Sequence, residues 1–186
     1  MVVVHRIAPA AYEQLAVHDG YRFVELRDGV LVEKPPMTFR HAFVIEDAGH
    51  YLRSQLDRRD HIVFVENARL RVGDSYLIPD IAVVASVVAR ELLERTPDRL
   101  AVYDNPVALV VEVWSPSTGS YDVETKLPLY RVRGDREIWF LRPFEQTLTA
   151  WVRRNDGSYA ETVHVGGAVA CAALPGVRVD LAALFG

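Results

Sequence analysis

The segment 107–114, VALVVEVW, limits the fold more than any other part of the chain, because it is almost entirely apolar. Runs of aliphatic and β-branched residues of this kind are typical of strands that are buried on both faces of a sheet. One acid, Glu112, stands inside the run. Burying a lone carboxylate costs several kcal/mol unless a cation, a hydrogen-bond network or a proton compensates the charge. The segment therefore predicts a buried strand that carries a special polar group.

A second apolar segment, 77–84 (LIPDIAVV), carries Asp80 in the same way, inside a predicted strand that Pro79 places at an edge or a bulge. Taken alone, either acid is best interpreted as the partner of an arginine or of a backbone amide at a strand end. Taken together, and with a lysine downstream, the two acids favour a metal site, since carboxylates of adjacent strands can converge on one divalent cation. Oxygen ligands of this kind suit Mg²⁺ or Mn²⁺.

The downstream lysine is Lys126, one of only two lysines among the 21 basic residues. An ammonium group can hold a phosphate oxygen or orient an attacking water. Residues 122–133 are predicted to form a helix that Pro128 shortens or kinks, and Tyr130 would share one helix face with Lys126. Two simpler interpretations stay open, namely that Lys126 forms an exposed pair with Asp122 and that Tyr130 belongs to the core with its hydroxyl at the rim.

The remaining segments predict one α/β (α+β) domain over residues 1–186. The Asp28-Gly29 turn signal lies between two short apolar strands and predicts an N-terminal hairpin. Apolar residues at helical spacing predict further helices at 9–17, 41–56 and 87–95. Further strands are predicted at 61–65, 68–72, 76–85 and 137–141, on both sides of the Asn155-Asp156-Gly157 turn, and at 177–179. This order predicts a central mixed β-sheet flanked by helices, followed by a C-terminal strand-rich extension.

The charge balance excludes nonspecific binding of nucleic acid by the bulk charge of the protein. The chain has 21 Lys and Arg residues against 25 Asp and Glu residues, which gives a net charge of −4 at pH 7. Strong nonspecific binding of nucleic acid normally needs a field of basic residues, so any such role must rest on a local basic face or on metal ions. The single Cys171 excludes an internal disulfide and a cysteine-rich zinc site. We find no secretory signal and no apolar run of membrane-spanning length, so we expect a cytoplasmic protein without a membrane partner.

An ordered set of motifs runs through most of the chain. It consists of Pro79-Asp80, the run EVWSPST from Glu112, the trio Asp122, Lys126 and Tyr130, then Gly134 and the strand EIWFLRP, with VELRDGVLVEKPP before them and LPGVRVDLAALF after them. Over about residues 20–185, this set resembles the Uma family of restriction-endonuclease-like proteins. The resemblance implies a restriction-endonuclease-like core of the PD-(D/E)XK type at about residues 41–142. It also implies that Asp80 and Glu112 hold Mg²⁺ or Mn²⁺ and that Lys126 completes the catalytic set.

The chain departs from the wider nuclease superfamily at two positions. The superfamily lysine lies two residues after the acid, where this chain has Trp114, and the Uma pattern carries it on the following helix as Lys126. Because side chains alternate along a strand, we expect Trp114 on the same face as Glu112, beside the metal site. Arg142 stands where relatives often carry an acid before the proline.

The resemblance also implies a further carboxylate from the N-terminal region. Glu25 and Glu33 are the candidates, and we favour Glu33 as the third metal ligand, although a solvated strand residue is an equal alternative. His41 is a candidate for contact with the substrate phosphate or a water, with Tyr130 as a second contact. A histidine whose ring is satisfied by a backbone carbonyl at the start of the helix is the alternative for His41.

These observations predict a metal-dependent nuclease that hydrolyses phosphodiester bonds in nucleic acid, with DNA as the preferred substrate. The alternative is a catalytically inactive nuclease-fold module that binds nucleic acid or a protein partner, and the net charge of −4 favours this alternative. We expect Arg131, Arg133, Arg136 and the pair Arg153-Arg154 on mostly solvated faces, where they could contact a nucleic-acid backbone. The oligomeric state is left open, and a homodimer is one option.

Overall fold

The computed structural model describes residues 6–115 and 122–186. The helices are α1 (Pro9–Leu15), α2 (Phe39–Gln55), α3 (Ser86–Arg95), α4 (Leu127–Arg133) and α5 (Leu181–Phe185), with a short 3₁₀ turn at Asp19–Tyr21 and a π-helical turn at Asp122–Lys126. The strands before the central one are β1 (Val24–Arg27), β2 (Val30–Glu33), β3 (His61–Val65), β4 (Arg69–Val72), β5 (Ser75–Leu77), β6 (Ile81–Ala85) and β7 (Val102–Tyr103). The others are β8 (Leu109–Val113), β9 (Glu137–Arg142), β10 (Thr147–Arg153), β11 (Tyr159–His164), β12 (Ala168–Ala170) and β13 (Arg178–Asp180).

Two mixed sheets carry the architecture. The six-stranded sheet has the order β11-β10-β9-β8-β6-β3, in which only β8 and β9 pair in parallel. The five-stranded sheet has the order β2-β1-β5-β4-β7 and contains the N-terminal hairpin, while β12 and β13 form a small separate ribbon. The predicted mixed sheet flanked by helices is therefore confirmed.

Strand β8 is buried along its whole length, as its composition predicts. Its side chains alternate between two apolar clusters. Val111 and Val113 pack with residues of α2 on one face, and Val110 packs with Tyr130 of α4 on the other. Each such aliphatic side chain contributes roughly 1.5–3 kcal/mol on burial. Because β8 is covered on both faces, a polar side chain on it must find its partners inside the protein.

The prediction of one strand over 76–85 is wrong. The segment divides into β5, which belongs to the five-stranded sheet, and β6, which belongs to the six-stranded sheet. Pro79 lies at the change of sheet, where its missing N–H removes no ladder hydrogen bond. Asp80 therefore lies directly before β6 and not inside a strand.

Helix α4 begins late, as Pro128 predicts. The chain forms the π-helical turn Asp122–Lys126 first, and Pro128 then occupies the first turn of α4, where a missing N–H costs little. Gly134 ends the helix with a φ of 80°, a left-handed conformation that favours glycine. In the part of the chain that the structure describes, no helix is long and apolar enough to cross a membrane.

Candidate active site

Asp80 and Glu112 meet where β6 and β8 lie side by side. These strands pair with Ile81 opposite Val111, so continuing the antiparallel register by one residue places Asp80 opposite Glu112. Both residues are 2% exposed. The Val113 N–H donates to Asp80 Oδ2 at 2.7 Å, which ties the carboxylate to the end of β8. The structure thus brings together the two acids that the sequence singles out.

Asp80 has two further partners from the N-terminal part of the chain. Lys34 Nζ donates to Asp80 Oδ1 at 2.8 Å, and His41 Nε2 lies 3.3 Å from Asp80 Oδ2. Burial acts to raise the pKa of Asp80, but the charge of Lys34 and the contact with His41 outweigh it, so the pKa is held well below its usual range. The pKa of Lys34 is raised, because the charge of Asp80 outweighs the effect of burial. Lys34 and His41 therefore stabilise the ionised form of Asp80.

Glu112 is held by α4 and the turn before it. Lys126 Nζ lies 3.1 Å from Glu112 Oε1, and the Tyr130 hydroxyl donates to the same oxygen at 2.5 Å. Lys126 is 2% exposed, so the interpretation of an exposed lysine is wrong. The four-residue spacing from Lys126 to Tyr130 places both groups on Glu112, which confirms the predicted shared face.

Glu25, and not Glu33, is the N-terminal acid that reaches this place. Glu25 is 1% exposed, and its Oε1 lies 3.1 Å from Lys126 Nζ and accepts the Ile78 N–H at 2.8 Å. Glu25 pairs with Val32 in the β1–β2 ladder, so Glu33 belongs to the opposite face of that hairpin, and it is exposed. Sequence reasoning favoured Glu33. The usable signal for Glu25 was the same as for Glu112, an acid inside a short apolar strand.

Lys34 is the residue that sequence reasoning missed. Besides Asp80, its Nζ lies 3.5 Å from Glu66 Oε1 and donates to the Ile78 carbonyl at 3.3 Å. Alternation along the hairpin puts residues 32 and 34 on the face of Glu25, which directs Lys34 toward the site. Its only signal in the sequence was the rarity of lysine. We call Glu25, Asp80, Glu112, Lys34 and Lys126 the carboxylate–lysine cluster.

Trp114, the residue expected beside the metal site, follows Glu112 by two positions. Trp114 is half-buried, with its ring edge-on to Phe144 at 6.4 Å between centroids and the Arg142 guanidinium 5.9 Å from its own centroid.

The prediction of a solvated Arg133 is wrong. Arg133 is buried and forms an ion pair with Asp135, with Nε 3.1 Å from Oδ2. Tertiary contacts determine this burial: the guanidinium also donates to the backbone carbonyls of Tyr103 and Asn105, which belong to a distant part of the chain. The other arginines of that prediction are exposed, namely Arg131, Arg136, Arg153 and Arg154.

The donor chemistry of the cluster fits a hard divalent cation. Its three carboxylates supply oxygen ligands, and they face two ammonium groups, which leaves one excess negative charge among these five residues. The ammonium groups now contact carboxylate oxygens, so a bound ion would take the place of such a contact. Within residues 6–115 and 122–186, no group of three or more His, Cys, Asp or Glu side chains is already arranged to hold a metal ion.

A solved structure has a fold similar to that of this chain. The structure is similar to the crystal structure of a protein from Anabaena variabilis that is described as a "putative nuclease belonging to DUF820". The TM-score is 0.72, the sequence identity is 19%, and the match covers 96% of this chain and 97% of that one. The chain therefore shares the fold of that protein, with mixed sheets flanked by helices as the motifs predict.

The sequence then gives the family. The model of the Uma2 family, described as "Putative restriction endonuclease", matches residues 9–182, and the chain belongs to this family. The resemblance stated from the motifs is thereby confirmed. A comparison with curated proteins finds no significant match.

Proposed function

We propose that the protein is a metal-dependent nuclease that hydrolyses phosphodiester bonds in nucleic acid, with DNA as the preferred substrate. The carboxylate–lysine cluster carries the proposal, because buried acids with excess negative charge beside a buried lysine provide both metal ligands and a donor for phosphate. The description of the Uma2 family as a restriction endonuclease supports it.

Asp80 and Glu112 would hold Mg²⁺ or Mn²⁺, and Glu25 is better placed than Glu33 to add a third carboxylate. The ion, when bound, polarises the scissile phosphate and lowers the pKa of a bound water. His41 and the Val113 N–H fix the orientation of the Asp80 carboxylate, and Tyr130 does the same for Glu112. Each ligand is thus held in one orientation before substrate arrives.

Lys126 has the role of a charge donor beside the ligands. Its ammonium contacts Glu25 and Glu112 from the helix side and can donate to a phosphate oxygen or orient a water. This position agrees with the family pattern, in which the lysine lies on the helix that follows the strand.

A second function deserves a test because Asp80 and Glu112 each already contact a lysine, as acids of purely structural importance would. In that case the protein is a noncatalytic module of nuclease fold that binds nucleic acid or a protein partner. The net charge of −4 also favours this function over strong binding of duplex by bulk charge.

Titration calorimetry with Mn²⁺ tests the ligands. We expect binding by the wild type that Asp80→Asn and Glu112→Gln abolish and that Glu25→Gln weakens, since each removes an anionic oxygen ligand. Glu33→Gln and the exposed control Glu94→Gln should bind as the wild type does. Unchanged binding in both Asp80→Asn and Glu112→Gln would refute the ligand assignment.

Cleavage of DNA and RNA in Mg²⁺ or Mn²⁺ tests the reaction. Lys126→Met should lose about a hundredfold or more in rate while still binding Mn²⁺, because it removes a donor that acts mainly on the transition state. The control is Arg131→Met, which removes an exposed cation from α4, the helix that follows Lys126. Retained cleavage by Lys126→Met would exclude Lys126 from the mechanism. A wild type that binds but never cuts over a broad substrate panel would establish the noncatalytic module.

A further inference from the structure

Two arginines flank a pair of aromatic rings next to the cluster. The Arg40 guanidinium lies 5.5 Å from the centroid of Phe144, Phe144 is edge-on to Trp114, and the Arg142 guanidinium lies over Trp114. We call these four residues the arginine–aromatic row. Phe144 is 56% exposed, so much of its ring faces solvent although Arg40 covers part of it.

Two further exposed aromatic side chains lie on the first turns of α2, the helix that carries Arg40. Phe39 and Phe43 are 86% and 56% exposed, and their rings stack with centroids 6.2 Å apart. They follow a four-residue spacing on the helix, with Arg40 directly after Phe39. Exposed aromatic rings in such a group leave considerable apolar area in water, which is typical of a binding surface.

The chain connects the row directly to the carboxylate–lysine cluster at two residues, Arg40 and Trp114. Arg40 precedes His41, whose ring contacts Asp80. Trp114 follows Glu112 by two residues, and its N–H donates to the Leu141 carbonyl at 2.7 Å, which continues the β8–β9 ladder. A ligand on the row would therefore lie beside the acids that we propose to hold the metal.

The composition of the row indicates the chemistry of its ligand. Guanidinium groups at both ends attract phosphates, and flat rings between them offer faces on which bases stack. In a duplex the base faces are hidden in the stack, whereas unpaired nucleotides expose them. An apolar protein partner would use the rings but not the two guanidinium groups beside them.

We propose that the arginine–aromatic row binds single-stranded or unpaired nucleotides and so makes this a nuclease that prefers unpaired substrate. Bases stack on Phe144 and on the Phe39–Phe43 pair, and Arg40 and Arg142 contact the flanking phosphates. The substrate preference rests on the proposed function, whereas the binding of a single strand to the row does not.

Fluorescence anisotropy in EDTA tests the binding without cleavage. The probes are a dye-labelled 20-nucleotide DNA, its duplex, and an abasic strand of the same length. We expect the single strand to bind more tightly than both other probes. Phe144→Ala and Phe39→Ala should each weaken binding of the single strand by about fivefold to a hundredfold, the range found for loss of one stacking contact.

Matched variants separate stacking from plain apolar contact. Phe144→Tyr keeps the ring and should bind nearly as the wild type does, whereas Phe144→Leu keeps an apolar side chain and should bind as weakly as Phe144→Ala. Leu93→Ala, which changes an exposed apolar residue of α3, is the control. Arg40→Gln should reduce the slope of log affinity against log salt by about 0.7, the value for one phosphate of a single strand.

The outcomes distinguish this proposal from the proposed function. Equal binding of duplex and single strand, or unchanged binding in Phe144→Ala and Phe39→Ala, would overturn the row as a single-strand site even if the protein cuts DNA. If Phe144→Leu binds like the wild type, the surface is a general apolar contact and the proposal fails. Binding through the row with no cleavage under any condition would leave the row established and overturn the nuclease function.

Discussion

Two of the buried charge groups in the described part of the chain differ in what their hydrogen bonds hold. The Arg133–Asp135 pair is directed at the backbone. Arg133 donates to the carbonyls of Tyr103 at 2.8 Å and Asn105 at 2.6 Å and also to that of Arg71, and Asp135 accepts the Val107 N–H at 2.8 Å. The pair therefore fastens β7 and the segment after it to the end of α4.

The carboxylate–lysine cluster consists mainly of side chains that contact side chains. Lys126 is shared between Glu25 and Glu112, and Lys34 lies beside both Asp80 and Glu66. A buried group with shared partners and excess negative charge lowers the free energy of unfolding, so stability does not account for it. The comparison indicates that buried charge directed at the backbone supports the fold, whereas buried charge that converges on like charge marks a site.

The largest expected effect comes from breaking the Arg133–Asp135 ion pair. Arg133→Met should lower the free energy of unfolding by about 3–5 kcal/mol, because it leaves Asp135 buried without its cation and three carbonyls without a donor. Glu112→Gln should cost less than about 2 kcal/mol, because Lys126 keeps Glu25. Urea unfolding in EDTA measures both, and equal losses would erase the distinction between the two groups.

A second, smaller effect tests whether Lys34 competes with a metal ion for Asp80. Lys34 contacts the carboxylate of Asp80, which we propose as a metal ligand, so Lys34→Met should raise the affinity for Mn²⁺ about tenfold by removing a competing cation. Lys34→Arg, which keeps the charge, is the control and should bind Mn²⁺ no more tightly than the wild type. If calorimetry shows weaker binding in Lys34→Met, the lysine shapes the ligands and does not compete with the ion.

The smallest effect concerns Tyr159, which contacts the backbone of Asp135 in the Arg133–Asp135 pair. The Tyr159 hydroxyl donates to the Asp135 carbonyl at 2.6 Å, and burial together with nearby Asp135 raises the pKa of Tyr159 to about 12. A raised pKa means that the contribution to stability is present below the usual value of 10.0 and is lost as the pH rises through about 12.

The wild type should therefore lose more stability than Tyr159→Phe between pH 10 and 12. We expect a difference of less than about 1 kcal/mol, because solvent screens this half-buried group. Parallel curves of unfolding free energy against pH for the two proteins would contradict the role of Tyr159.

The sequence predicted the parts of the site that depend on local pattern. Strand β8 with Glu112 follows from its composition, and the face shared by Lys126 and Tyr130 follows from helical spacing. The same criterion does not separate sites from structure, since Glu137 is also buried in an apolar strand but accepts from Trp139 Nε1 and the Ala173 N–H. Only its partners reveal that Glu137 is structural.

The remaining features depend on how distant segments meet. The division of residues 75–85 between two sheets decides that Lys34 and Glu25 approach Asp80, and no local pattern encodes this. The burial of Arg133 likewise depends on carbonyls that lie about 30 or more residues away along the chain, which composition cannot show. Sequence reasoning therefore found the acids but not all of their cations.

The contacts of Lys126 with both Glu25 and Glu112 also determine when the cluster can form during translation. Glu25 and Lys126 lie more than half of the chain apart, and closing so long a loop is entropically costly before other contacts form. Synthesis proceeds from the N-terminus, so Glu25, Asp80 and Glu112 leave the ribosome before the lysine that joins two of them. An unfinished or truncated chain that ends before Lys126 cannot assemble the cluster. If the cluster is the active site of a nuclease, as we propose, a nascent chain should have no activity before Lys126 has been translated.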